Sequence, residues 1–150
     1  MEEKYKYLES KNLSELIKII DNFNDIDETV EALDILSDLD SEKALEKGIN
    51  FLWNNDGDEY FQAMIIDIID DIDFNRVVDC LKNRKDDIQA YLLGELMQEM
   101  RRHSADKNIV EYVKMINKKY ILLEKDEKKR ITEQYNRFID RFETCINDLS

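Results

Sequence analysis

Proline is absent from the 150 residues, glycine occurs three times and histidine once. A chain this poor in turn-forming residues excludes a many-turned β-sandwich and any collagen-like repeat. Glycines at 48, 57 and 94 cannot build the phosphate-cradling loop of a nucleotide-binding enzyme. The single histidine, His103, stands beside Arg101 and Arg102, with no cysteine or serine placed to form a catalytic pair. Cys80 and Cys145 lie 65 positions apart, outside any paired metal or redox spacing, and read as reduced thiols buried at apolar helical positions. Apolar runs stop at four residues, as at Ala63–Ile66 and 120–123, far short of the roughly 20 that cross a bilayer. The first residues are charged and carry no apolar core, so no secretory signal is expected and the chain reads as cytoplasmic.

What is abundant is acid. Thirty-five acidic residues face 22 basic ones, a formal charge of −13. Such a surface repels a phosphate backbone, which argues against direct nucleic-acid binding. A hydrophobic content of 43% argues against disorder, and the length suits one domain with a real core. The charge is uneven: residues 21–73 hold 17 acidic and two basic side chains, whereas residues 101–150 hold nine acidic and 12 basic. Either the acidic stretch is a solvated face, or it focuses potential toward a basic partner.

Apolar spacing predicts helices throughout. Leu13, Leu16, Ile17, Ile20 and Phe23 mark the first, opened by Asn12 and Glu15 as a capping box. A second runs from about Glu28 to Leu39, and a third from Ser41 to Trp53, stopped by the turn Asn54-Asn55-Asp56-Gly57. The stretch from Glu59 to about Ile72 is apolar on all sides, which predicts a helix buried by several neighbours. A strand over Met64–Ile69 has no second strand to pair with. Shorter helices follow at Phe74 to about Lys82, from Ile88 to near Arg102, and from Ile109 to Tyr120. Residues 125–130 form a charged turn or an exposed first turn of the last helix, whose apolar positions begin at Ile131.

The sequence repeats. Residues 32–40 align without gaps on residues 65–73, so that Asp34, Asp38 and Asp40 match Asp67, Asp71 and Asp73. A weaker third copy sets Gln89-Ala90 against Gln62-Ala63. A helical hairpin cannot bury its own apolar stripe, so such units stack. The expected fold is all-α: a short HEAT-like solenoid over about 13–120, with a capping helix at about 126–148. A compact helical bundle is the alternative.

Few residues offer chemistry. Placing Gly57 at the sixth position of a calcium loop puts Leu52 first and Ala63 twelfth, where carboxylates are required. Asp67, Asp70 and Asp71 share helical spacing that could hold magnesium if Glu95 and Glu99 faced them, but matching aspartates in the other repeat read better as turn features. No metal, cofactor or catalytic residue is therefore expected. Trp53 and Tyr60 flank the acidic loop, the composition of an interface hot spot, although Trp53 also suits a core position.

The pattern Glu28-x-x-x-Ala32-Leu33-x-x-Leu36-Ser37 is followed by an acidic turn, a helix to Trp53, an acidic loop and the helix Phe61–Ile69. This order resembles the small helical immunity proteins of bacterial polymorphic toxin systems (contact-dependent inhibition type), in particular the immunity protein 30 type. The resemblance spans about residues 13–120 and carries no catalytic signature. It implies a non-enzymatic protein that binds a cognate secreted toxin domain, with basic nucleases among the candidates. On that reading the contacts are Trp53, Asp56, Asp58, Glu59 and Tyr60 with a ridge of Asp67, Asp70, Asp71 and Asp73. The chain is expected to act as a monomer or weak homodimer. A general HEAT-like adaptor and an all-α magnesium-dependent phosphohydrolase are the rival readings.

Overall fold

The computed structural model describes residues 3–147, and it is all-α, with no strand among them. A 3-10 helix, Glu3–Ser10, precedes α1 (Leu13–Asn22), α2 (Ile26–Leu39), α3 (Ser41–Trp53), α4 (Glu59–Ile69), α5 (Phe74–Asn83), α6 (Ala90–Arg102), α7 (Ile109–Ile121), α8 (Lys125–Arg130) and α9 (Thr132–Asn147). The packing divides into two compact units, residues 1–80 and 81–150, with the boundary inside α5. None of the described helices is long and apolar enough to cross a membrane.

In the first unit α2 is central, packed against the 3-10 helix, α1, α3 and α4. Leu16, Ile20, Leu33, Leu36, Leu45, Leu52, Ile65 and Ile66 are almost wholly buried. These are the periodic apolar positions, and burying each side chain contributes about 1.5–3 kcal/mol before entropy. Phe23, Phe51 and Phe61 close a triangle of rings with centroids 4.8–5.1 Å apart. Gly48 lets α3 approach α4, because a Cβ there would stand 2.8 Å from Ile69 Cδ1. The all-round apolar stretch is helical, as its lack of a strand partner requires, but it ends at Ile69 rather than Ile72. The chain then closes a turn, with the Ile72 N–H donating to the Ile69 carbonyl at 3.0 Å.

Helix starts follow the aspartates and asparagine. Asn12 Oδ1 accepts the Glu15 N–H at 2.9 Å while the Glu15 carboxylate accepts the Asn12 N–H, the expected capping box. Asp25, Asp40 and Asp58 accept the N–H three residues on, opening α2, α3 and α4. Asp73 does the same for Arg76 at 3.1 Å. Asp40 and Asp73, equivalent in the repeat, thus do the same job at the same place. The 3-10 helix was not signalled by the sequence. It buries Tyr5 and Leu8, and the Tyr7 hydroxyl donates to the Glu28 carboxylate. That bond raises the Tyr7 pKa to about 12.

In the second unit α6 packs against α7, α8 and α9 around Leu92, Leu93, Leu96, Met97, Met100, Ile131 and Phe138. The charged segment after α5 is organised by Arg84, which is buried and donates to the carbonyls of Asp86 and Asp87 at 3.2 and 3.3 Å. Tyr135 stacks on Tyr120 with centroids 3.5 Å apart, and its hydroxyl donates to Asn117 Oδ1 at 2.6 Å. Burial holds both phenols above their ordinary pKa, and for Tyr135 the Tyr120 hydroxyl adds to the rise. Residues 125–130 form a helix of their own rather than the first turn of the last one, and α9 is broken at Phe142. Cys80 is buried as expected, whereas Cys145 is half-exposed on α9.

Candidate functional site

The charge asymmetry follows the two units. Residues 1–80 carry 22 acidic and seven basic side chains, net −15, and residues 81–150 carry a net +2. The first unit therefore holds the acidic surface, and its most structured acidic element is the loop between α3 and α4.

That loop is rigidly built. Asn55 and Gly57 both have positive φ, at 54° and 69°, a conformation that asparagine and glycine adopt most readily. Gln62, fully buried on α4, reaches back from below. Its amide Nε2 donates to Asn55 Oδ1 at 2.8 Å and to the Asp56 carbonyl at 3.1 Å. Asp58 fixes the other end by accepting the Phe61 N–H at 2.8 Å. The Asp56 N–H donates to the Phe51 carbonyl at 3.0 Å, which ties the loop to the end of α3. Sequence reasoning missed Gln62 because a glutamine inside an apolar run gives no hint of what its amide meets.

Both flanking aromatics face solvent. Trp53 is 52% exposed at the end of α3, and Tyr60 is 50% exposed in the first turn of α4. The core placement considered for Trp53 is thus excluded. Tyr60, Met64, Asp67 and Asp71 are all exposed, and the first three lie at i, i+4 and i+7 along one side of α4. Asp34 and Asp38 on α2 belong to the same neighbourhood. The Asp34 pKa is raised, first by burial and then by the charges of Asp38 and Asp67. Asp34 and its counterpart in the repeat, Asp67, thus lie near one another in space, with Asp38 close by.

Two members of the expected contact set are placed elsewhere. Asp70 is only 1% exposed and Glu59 only 9%, so neither is presented at the surface. The reason is geometric. Asp70 keeps helical φ/ψ and its N–H donates to the Ile66 carbonyl, so it stands in line with the buried Ile66 and faces inward, while Asp71, one position on, is exposed. The helical face proposed for Asp67, Asp70 and Asp71 therefore does not form as a single ridge. Asp73 is half-buried and serves as the cap for Arg76. The surface set that remains is Trp53, Asp56, Asp58, Tyr60, Asp67 and Asp71, with Asp34, Asp38 and Met64 added by the structure.

Comparison of the chain with protein-family models, curated proteins and solved structures finds no match.

Proposed function

We propose that the chain is a cytoplasmic immunity protein, which binds a cognate secreted bacterial toxin domain and blocks its active site. The observation that carries this reading is the acidic loop. Two half-exposed aromatics flank carboxylates on a backbone held from beneath by a buried glutamine. Rigid aromatics supply contact area at little entropic cost. Clustered carboxylates speed encounter with a basic cleft and reject acidic competitors. The resemblance over residues 13–120 to the immunity protein 30 type supports the same reading. Binding, not catalysis, is the activity that such a surface performs.

The test is co-expression. The toxin domain encoded beside this chain is induced in a susceptible host with and without it. Restored growth together with a co-purifying complex is the expected result. Toxicity that the chain does not relieve would overturn the reading and leave the surface to a host-protein adaptor. In the complex, changing Asp56, Asp58 and Asp67 together to asparagine should weaken binding about ten- to a hundredfold and flatten its salt dependence. Asp70 is left out of that set because it is buried.

A further inference from the structure

The second unit carries a surface of the opposite kind. On α7, the buried side is formed by Ile109, Tyr112, Val113, Ile116 and Asn117. The outer side leaves Val110, Ile121 and Leu122 exposed by 45%, 57% and 75%. Two hollows run along it. One of about 460 Å³ lies over Lys107, Val110, Glu111 and Lys114, and one of about 390 Å³ lies over Lys114, Met115, Lys118, Ile121 and Leu122. They meet at Lys114, so the furrow follows the helix for about 20 Å.

The rim is positive and uncommitted. Lys11, Lys43, Lys47 and Lys82 each pair with a carboxylate at 2.5–3.5 Å. No carboxylate among the described residues pairs with Lys107, Lys114, Lys118 or Lys119. The one acid on this helix, Glu111, is engaged by Lys82 at 2.5 Å. In a chain of net charge −13, the three lysines that line the furrow, Lys107, Lys114 and Lys118, are a local inversion of sign.

We infer that the outer face of α7 docks an acidic amphipathic helix of a partner protein. The apolar side of that helix would cover Val110, Ile121 and Leu122, and its flanking carboxylates would meet Lys114 and Lys118. A helix suits the furrow because its exposed apolar ends, Val110 and the pair Ile121 and Leu122, stand about three turns apart with the half-buried Met115 between them, and the described residues offer no sheet edge for a strand. An anionic membrane is disfavoured by the net negative charge. This surface is independent of the acidic loop, so it goes beyond the toxin-binding reading and survives or fails separately.

The test uses the full chain and two synthetic 15-residue peptides sharing one leucine stripe at helical spacing, one flanked by glutamate and one by lysine. Amide chemical shifts are followed during titration, together with sedimentation with phosphatidylglycerol vesicles. The expected result is saturable movement of the amides of residues 110–122 with the glutamate peptide only. Ile121→Glu and Leu122→Glu should each weaken that binding at least tenfold while leaving the helical spectrum intact, since both side chains are exposed. Changing Lys114 and Lys118 together to glutamate should transfer the preference to the lysine peptide. No shift in α7, equal binding of both peptides, shifts that follow protein concentration alone, or vesicle binding through α7 would each overturn the assignment.

Discussion

The buried amide of Gln62 donates to Asn55 Oδ1 at 2.8 Å, across seven residues of chain, and so holds the acidic loop from inside. Replacing Gln62 by leucine keeps the bulk and deletes both donated bonds, including that to the Asp56 carbonyl. The expected cost is about 1–3 kcal/mol, read as a lower midpoint in urea unfolding. Amide exchange should accelerate at residues 54–58 more than elsewhere. Uniform acceleration across the first unit would mean that Gln62 supports the core rather than the loop.

Gly57 is a second control point. Its φ is 69°, and a Cβ added there would stand 2.6 Å from the Phe61 ring. Gly57→Ala should therefore cost about 1–3 kcal/mol through strain, and loosen the ring triangle of Phe23, Phe51 and Phe61. Thermal unfolding and the aromatic chemical shifts would measure the two effects separately. An unchanged midpoint would show that the loop relaxes without penalty.

Much of the fold was legible in the sequence because helix starts and apolar spacing are local properties. The Asn12–Glu15 box and the stop after Trp53 stand where the residues place them. Burial of the intervening carboxylates was not legible. Asp67, Asp70 and Asp71 have helical spacing in the sequence, but Asp70 also stands four residues after the buried Ile66, and which side of α4 is covered depends on what packs against it. The 3-10 helix was missed because only Tyr5 and Leu8 anchor it, too few for a periodic signal. Trp53, equally suited to core or surface by composition, is settled only by what packs around it.

Asp58 has two roles that substitution can separate. Its carboxylate caps α4 through the Phe61 N–H, and its charge belongs to the acidic loop. Asp58→Ala removes both and should cost about 1 kcal/mol. Asp58→Asn retains a capping oxygen and should change stability by only a few tenths of that. If the asparagine variant folds as stably as the parent yet binds the toxin domain more weakly, the charge itself contributes to recognition. Equal binding by the parent and the asparagine variant would restrict Asp58 to its cap.

Asp34 gives the pH dependence of the patch. Its pKa lies above the ordinary 3.8, through burial first and then repulsion from Asp38 and Asp67. The folded state therefore holds this proton to higher pH than the unfolded chain does. Stability falls as pH rises from the unfolded pKa through the folded one, and stays lower above that window. Asp34→Asn removes the penalty and should raise the thermal midpoint at neutral pH by about 1–2 °C. The gain should vanish near pH 3, where the parent is also uncharged at this position. It should shrink in about 0.5 M salt, because the repulsive part is screened while the burial part is not. A lower midpoint at neutral pH would show that the Asp34 charge is stabilising, and that the acidic patch is held together by bonds rather than strained by its own repulsion.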